Sequence, residues 1–202
     1  MKLKPGMRLR SQVDGTEVIV VRSPADAIRA GIVLIPEDRK AQGLVLGMAV
    51  RENITLAHLL AFVRYETIDR AAETAEAKKQ IAELHIRTPS SEQTVRNLSG
   101  GNQQKVVLAK WLTGDARVFL FDEPTRGVDV GAKAEIYTLM LQLLARGAAI
   151  VMVSSELSEV LGLSHRVLVV RDGRIQAEFA RADATPDKVI AAATGVPARG
   201  RA

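Results

Sequence analysis

Two adjacent carboxylates follow a short apolar run in the middle of this sequence. Residues 118–122 read VFLFD, and Glu123 comes directly after Asp122. A continuous apolar run is typical of a strand covered on both faces of a parallel sheet, and such sheets bind ligands beyond the carboxyl ends of their strands. There, Asp122 can hold Mg²⁺, usually through a water molecule, and Glu123 can orient and deprotonate a water that attacks a phosphate. We interpret both as catalytic. Taken without other motifs, the same two residues could also be a purely structural acidic pair at the turn after a strand.

A glycine-rich turn lies upstream of these carboxylates. LSGGNQQ at 98–104 places Ser99 as the N-cap of a helix predicted over 102–112. Backbone N–H groups at a helix N-terminus form a ready anion site, and glycine lets the backbone approach a phosphate without a Cβ atom. Because the turn and the carboxylates occur together, they favour one phosphate site over two unrelated structural turns.

The surrounding pattern predicts an α/β core of mainly parallel strands. Strand and helix signals alternate along the chain, and Asp172-Gly173 indicates the two-residue turn of a C-terminal β-hairpin. Strands are predicted within 17–22, 31–38, 118–122 and 149–155, and the strand at 149–155 is also predicted to be buried. A loop is predicted over 37–50, with helices at 51–63, 69–86, 102–112 and 132–146. Residues 50–113 are predicted to form a helical insert.

The composition excludes several function classes. The chain has 202 residues, 47% of them apolar, which is enough for a folded domain. No apolar run approaches the roughly 18 residues that cross a bilayer, and the absence of cysteine excludes disulfides and thiolate metal sites. The net charge of +5 could indicate nucleic-acid binding, but only 3% of the residues are aromatic and able to stack on bases. We therefore predict no nucleic-acid partner.

These motifs together resemble the ATP-binding cassette (ABC) ATPases. LSGGNQQK at 98–105 is similar to the family signature, VFLFDEP at 118–124 to its Walker B strand with the catalytic glutamate, and GVD at 127–129 to its D-loop. The stretches EDRKAQGLVLGMAVRENI, DEPTRGVDVGAKAEIY and SSELSEVLGLSHRVLVVRDGRI resemble the second cassette of the fused ATPases of ribose-, xylose- and galactose-type sugar importers. The resemblance implies a P-loop NTPase-like fold over 1–202, with a helical, signature-bearing subdomain and a flexible tail at 196–202.

The resemblance also implies a site for ATP and Mg²⁺. Glu123 would be the catalytic base, with Asp122 and Glu37 as metal ligands for nucleotide on the same cassette. Cassettes of this family dimerise head to tail, so the signature would act in trans on nucleotide that another cassette holds. The nucleotide contacts that the resemblance implies are Ser99, Gly100, Gly101, Gln103, Asp129 and Ser155.

The sequence departs from the family pattern in three respects. Glu37 stands where a glutamine usually reaches the metal and the attacking water, and Ser155 stands where a switch histidine is usual. Serine cannot donate a charged hydrogen bond to the γ-phosphate. No Gly-x-x-x-x-Gly-Lys-Ser/Thr phosphate loop occurs within the 202 residues. We therefore expect an N-terminally truncated cassette that neither binds ATP tightly nor hydrolyses it alone.

The implied function is the ATPase subunit of a carbohydrate importer, which couples ATP hydrolysis to sugar uptake. Its implied partners are a second cassette, membrane permease subunits and, indirectly, a sugar-binding protein, at the cytoplasmic face of the inner membrane. The helical insert and the apolar loop before it, with Gly43, Leu44, Leu46 and Met48, are the expected permease contact. A loop packed on its own core is the alternative.

Two other functions share these motifs. A DNA-repair or chromosome-organising ATPase has the signature and the Walker B strand, but it inserts a very long coiled coil before the signature, and the segment from Glu37 to Ser99 is too short for one. A non-catalytic module that uses the signature to regulate another cassette stays open.

Overall fold

The computed structural model describes residues 8–10, 17–19 and 23–196, and the chain divides after Val151 into two compact units. The strands are β1 Arg8–Arg10, β2 Glu17–Ile19, β3 Ile32–Ile35, β4 Val63–Arg64, β5 Thr67–Ile68, β6 Val118–Asp122, β7 Ala149–Val153, β8 Arg166–Arg171 and β9 Arg174–Ala180. The α-helices are α1 Pro24–Arg29, α2 Val50–Thr55, α3 Arg70–Glu83, α4 Gly100–Leu112, α5 Val130–Ala145, α6 Leu157–Leu163 and α7 Pro186–Thr194. A π-helical turn at Arg39–Gly43 and 3₁₀ segments at Leu56–Phe62 and Val95–Asn97 complete the helical elements.

The candidate carboxylates belong to a three-stranded sheet of order β3–β6–β7. β3 and β6 are parallel, with Ile35 opposite Phe121 at their carboxyl ends. One face of the sheet buries Val33, Ile35, Phe119 and Phe121, and the two phenylalanine rings stack with centroids 6.3 Å apart. Each such side chain contributes about 1.5–3 kcal/mol on burial, so this face fixes the strand that ends in Asp122.

The opposite face of the same sheet is largely open to solvent. Leu34 is 49% exposed, Val151 55% and Val153 59%, while Val118 and Leu120 are half-buried. The prediction of strands covered on both faces is therefore wrong for β7, and it is correct for only one face of β6. The reason is that a continuous apolar run does not reveal which element covers each face of the strand.

Residues 50–113 form helices that pack together around α4. Val50 and Ile54 of α2 and Val106 and Val107 of α4 are fully buried. The helix predicted at 51–63 breaks, because α2 ends at Thr55 and the following 3₁₀ segment has a non-helical backbone at its third residue. The helices predicted at 69–86 and 102–112 are confirmed with shifted ends. Whether 50–113 forms a separate subdomain stays a prediction.

A buried ion-pair network ties α2 to α3. The guanidinium of Arg51, which is 3% exposed, pairs with buried Glu73 and with Glu92, where Nε lies 2.8 Å from Oε1. The hydroxyl of Thr55 donates to the other Glu73 oxygen at 2.7 Å. The hydrogen bond to Glu92 and the two carboxylate charges raise the pKa of Arg51 further above its usual range, so the network stays charged.

The segment 37–50, predicted as a loop, contains a helical turn. Asp38 Oδ1 accepts hydrogen bonds from the backbone N–H groups of Lys40, at 3.0 Å, and Ala41, at 3.1 Å. This side-chain cap begins the π-helical turn Arg39–Gly43. A local Asx cap of this kind is compatible with many backbone conformations, which is why the pattern alone indicated only an irregular connection.

The second unit contains the predicted C-terminal hairpin. β8 and β9 pair antiparallel, and Asp172 (φ 53°) and Gly173 (φ 70°) both have the left-handed backbone of a type I′ turn. Helix α7 packs against β8. The Asp-Gly hairpin prediction is confirmed.

The remaining predictions concern the ends of the chain and the membrane. Of the strand predicted at 17–22, residues 17–19 are confirmed, where β2 pairs antiparallel with β1, and residues 20–22 lie outside the described residues. The tail predicted at 196–202 also lies outside them, apart from Val196. None of the described helices is long and apolar enough to cross a bilayer.

Candidate functional site

The carboxyl end of β6 presents Asp122 and Glu123 at the sheet edge where the chain also leaves β3. Both residues are half-buried. Glu123 has a left-handed backbone (φ 46°), and its carbonyl accepts a hydrogen bond from the N–H of Arg126 at 3.1 Å. A positive φ is uncommon for a residue with a Cβ atom and is found preferentially at functional sites. The chain therefore leaves the extended conformation of the strand at the predicted catalytic residue.

Glu37 lies at the same edge, but its carboxylate is engaged. It forms an ion pair with the guanidinium of Arg126, and both side chains are largely exposed. Among the described residues, no three acidic, histidine or cysteine side chains are grouped as a metal site. Mg²⁺ is usually held by one or two carboxylates together with substrate phosphates, so Asp122 fits as the protein ligand, whereas Glu37 must first release Arg126.

The signature turn begins α4 without a side-chain cap. Ser99 is the N-cap residue, as predicted, yet its hydroxyl accepts no hydrogen bond from a backbone N–H of the first turn. Instead, Ser99 Oγ accepts from Asn102 Nδ2 at 2.9 Å, and Asn102 Oδ1 accepts from the N–H of Arg87 at 2.8 Å. The helix begins at Gly100, two residues earlier than predicted. Among the described residues, its first-turn N–H groups therefore have no side-chain acceptor, an arrangement that suits a nucleotide phosphate.

The two signature glycines are also required by packing within the chain. A Cβ atom on Gly100 would lie 2.7 Å from Nη2 of Arg39. A Cβ atom on Gly101 would lie 2.7 Å from the Cβ of Ala132 in the first turn of α5. Access to a phosphate is therefore one reason for glycine at these positions, and packing against distant residues is a second.

The side chain of Gln103 is buried rather than exposed at the turn. It is 4% exposed, and its Nε2 donates to the carbonyl of Val95 at 3.2 Å. Among the described residues its Oε1 has no hydrogen-bond partner. In this structure the Gln103 side chain, which was predicted to contact nucleotide, is therefore not accessible from solvent.

Asp129 caps the helix that lies beside the signature. Its Oδ1 accepts from the N–H of Ala132 at 3.0 Å and so closes the first turn of α5. One turn further along, Lys105 Nζ of α4 lies 2.8 Å from Glu135 Oε2 of α5. The hydrogen bond from Lys105 lowers the pKa of Glu135. The signature turn and the predicted D-loop are thus brought together through the α4–α5 contact.

Ser155 follows β7 in the second unit. It is exposed, and the neighbouring Ser154 hydroxyl donates to Glu159 Oε2 at 2.7 Å and accepts from the N–H of Glu156 at 3.0 Å. These contacts order the turn between β7 and α6. Its predicted nucleotide contact stays a prediction.

Comparison with known proteins identifies relatives over almost the whole chain. The ABC transporter family model matches residues 10–126, more than half of the chain. The chain is 54% identical over 186 residues to the ribose import ATP-binding protein RbsA of Chromobacterium violaceum. It is 52% identical over 179 residues to the xylose import ATP-binding protein XylG of Pseudomonas fluorescens. The matches cover 92% and 89% of this chain but 37% and 35% of the two relatives.

Solved cassettes have the same fold. The ATP-binding cassette MJ1267 of an ABC transporter aligns over 89% of this chain and 74% of its own, with a TM-score of 0.70 and 22% identity. The cassette MJ0796, in a dimeric post-hydrolysis state bound to ADP and Pi, aligns over 84% of this chain and 72% of its own, with a TM-score of 0.65 and 19% identity. The predicted P-loop NTPase-like α/β architecture is confirmed. The family match over residues 10–126 shows that the chain belongs to the ABC transporter family, within which it is similar to sugar-import ATP-binding proteins.

Proposed function

We propose that this chain is the ATP-binding component of a carbohydrate importer and that its signature turn closes on nucleotide held by a second cassette. The observation that carries the proposal is the open first turn of α4, which begins at Gly100 beside the capped start of α5. The importer class rests on the functions named for the relatives, ribose and xylose import. Such a component acts as a peripheral protein at the cytoplasmic face of the membrane.

The signature contributes binding and orientation to the shared site. The N–H groups of Gly100 and Gly101 and the positive end of the α4 dipole stabilise the negative charge of a terminal phosphate. Ser99, exposed and held by Asn102, presents its hydroxyl at the same turn. These groups act on nucleotide bound by another cassette, so this half of the function needs no phosphate loop in residues 1–202.

The carboxylates of β6 contribute the hydrolytic half. Asp122 would be the protein ligand of Mg²⁺, which when bound would neutralise charge on the phosphates. Glu123 orients the attacking water and takes its proton. Glu37 joins this site only after its ion pair with Arg126 opens. In a chain extended by a phosphate loop, we expect Glu123→Gln to lower turnover by about 10²–10⁴-fold and to preserve ATP binding.

Complementation in trans tests the signature directly. The full chain is mixed with a complete sugar-importer cassette whose own signature serine is replaced by aspartate, so that the partner alone is silent. We expect the wild-type chain to restore ATP hydrolysis at the partner's phosphate loop, and a chain with Lys40→Ala, an exposed substitution away from the turn, to restore it equally. No hydrolysis above that of the silent partner would contradict the proposal.

The loop before α2 is the proposed contact to a membrane permease. Buried Asn53 fixes this loop, because its side chain accepts from the N–H of Val45 at 2.8 Å and donates to the carbonyls of Val45 and Ala49 at 3.0 Å each. Val45 is 43% and Met48 37% exposed on the rigid loop, although Leu44 is buried. Cross-linking from Met48→Cys to permease subunits should succeed in the assembled importer. Cross-links that form only within the chain would favour a loop packed on its own core.

A non-catalytic regulatory role is the second candidate function. The Glu37–Arg126 ion pair favours this role, because the ion pair engages the carboxylate of Glu37, one of the two predicted metal ligands. In that role the signature still completes another cassette's site, and Asp122 and Glu123 are not used. Unchanged turnover of the Glu123→Gln variant in the extended chain, with the partner's own site silenced, would favour this candidate over the catalytic one.

A further inference from the structure

Arg39 lies at the junction of three segments that carry the proposed site. Its backbone begins the π-helical turn that Asp38 caps, two residues after Glu37. Its Nη1 donates to the carbonyl of Arg126, 3.3 Å away, in the turn that follows Glu123. Its Nη2 lies against Gly100, where a Cβ atom would approach to 2.7 Å. One guanidinium thus contacts both the signature turn and the turn after the catalytic carboxylates.

The electrostatics of this placement do not favour helix stability. Among the described residues, Arg39 has no carboxylate partner, since Glu37 pairs with Arg126, and Arg39 Nε is buried without a hydrogen-bond acceptor. The cation stands at the positive end of the α4 dipole, where a positive charge is unfavourable. Stability of α4 therefore does not explain why an arginine occupies this position.

The far end of the same turn is also tied to α4. Lys110 Nζ donates to the carbonyl of Gly43, and a Cβ atom on Gly43 would lie 2.9 Å from Cγ2 of Val107. The π-helical turn therefore runs along α4 and is attached to it near both ends. Arg39 is the contact of this turn with the start of the helix.

We propose that Arg39 is a positioning residue for the signature turn. Its guanidinium holds Gly100 at a fixed distance from the backbone of residues 126–127, so that the open N–H groups of α4 face a phosphate held in trans. The proposal rests on the proposed function for its consequence in hydrolysis. The contact itself, from Arg39 to Gly100 and Arg126, does not depend on that function.

The first experiment is the complementation assay with Arg39→Ala, Arg39→Lys and the matched control Lys40→Ala. We expect Arg39→Ala to lower kcat about 10- to 100-fold, the scale of a misplaced reacting group, with the KM for ATP within about twofold. Arg39→Lys should keep part of the activity, and Lys40→Ala should match wild type. A lower melting temperature of Arg39→Ala with unchanged kcat per folded molecule would show a merely structural role and overturn the proposal.

A double-substitution cycle keeps the proposal testable if one variant is unstable. The Cβ atom of Gly100→Ala meets the Arg39 guanidinium, so the combination with Arg39→Ala should lose less activity than the two single effects multiplied together. Simple multiplication of the two effects would overturn the proposal.

Amide hydrogen exchange without nucleotide separates this inference from the proposed function. In the full chain, Arg39→Ala should speed exchange at the N–H of Gln103, which donates to the carbonyl of Ser99 at 2.9 Å, and leave the Arg51 segment unchanged. If the wild-type mixture does not hydrolyse ATP, the proposed function fails and exchange alone decides the role of Arg39. Equal exchange at Gln103 in wild type and Arg39→Ala would overturn it.

Discussion

Helices α4 and α5 begin beside each other, and their first turns are built in opposite ways. In α5 the Asp129 carboxylate accepts from the N–H of Ala132, so the turn satisfies itself. In α4 the Ser99 hydroxyl turns to Asn102 and leaves the backbone N–H groups open. The N-terminus of α5 is thus capped by a side chain within the chain. The N-terminus of α4 is lined by glycine and keeps the partial positive charge of its backbone N–H groups without a side-chain cap. The difference separates a structural helix start from one suited to bind an anion.

Closing the open turn should have the largest effect. In Ser99→Asp, the carboxylate can accept from the first turn of α4 as Asp129 does in α5, and it repels a phosphate. We expect complementation activity to fall about 10²–10³-fold, the scale for losing oxyanion donors, with no loss of thermal stability. Ser99→Asn, which caps without charge, serves as the control and should lose less. Full activity of Ser99→Asp would show that the open turn has no role.

The close contact between the two helix starts can be broken and repaired. Gly101→Ala places a Cβ atom 2.7 Å from the Cβ of Ala132, and such overpacking typically costs about 1–3 kcal/mol. Adding Ala132→Gly should recover most of the loss in chemical denaturation. Gly162→Ala is the control. Gly162 lies in a helix, and its added Cβ atom would meet no other part of the structure within 4 Å, so the substitution should be neutral or stabilising. Failure of Ala132→Gly to rescue would show that Gly101 is required for another reason.

Cap removal should affect the two helices unequally. Asp129→Ala removes a cap bond and should lower the free energy of unfolding by about 1 kcal/mol. Ser99→Ala removes no bond to a backbone N–H of the first turn, only the exposed bond from the Asn102 side chain, and should change the free energy of unfolding by less than about 0.5 kcal/mol. Urea denaturation of both variants measures the difference. Equal losses would mean that Ser99 caps α4 in solution.

The smallest expected effect is the pH dependence of the bond between the helices. The hydrogen bond from Lys105 lowers the folded-state pKa of Glu135, so its stabilisation is present above the unfolded pKa, roughly 4.3, and is lost as pH falls through the folded value. The pair is half-exposed on the Glu135 side, so we expect under about 1 kcal/mol. Glu135→Gln should flatten the loss of stability below pH 5, and an unchanged slope would contradict this.

Elements with strong local signals were predictable from the sequence. Apolar spacing identified α5, whose Ile136, Leu139 and Met140 are buried, and Asp172-Gly173 identified the hairpin turn. These patterns depend only on residues close together in the sequence, so they can be interpreted without knowledge of the fold. The order of residue types along the chain likewise led to Asp122 and Glu123, whose catalytic roles stay predictions.

The contacts that organise the site could not be predicted in the same way. Arg39 and Gly100, or Arg51 and Glu73, are far apart in sequence, and a single arginine in a polar segment reads as a solvated charge. The 63–68 hairpin turns through Tyr65 and Glu66 at positive φ, without the glycine that would have signalled it. The exposure of β7 depends on what covers each face of the sheet, which strand composition does not encode.

Amide hydrogen exchange at the two helix starts tests the central claim most directly. The full chain is measured with a complete, hydrolysis-deficient cassette, in the presence and absence of ATP and Mg²⁺. The open N–H groups of residues 100–102 should exchange quickly without ATP and slow strongly when the partner closes on them, whereas the capped N–H of Ala132 should change little. Exchange at residues 100–102 that is the same with and without ATP, in a mixture that still binds ATP, would contradict the account.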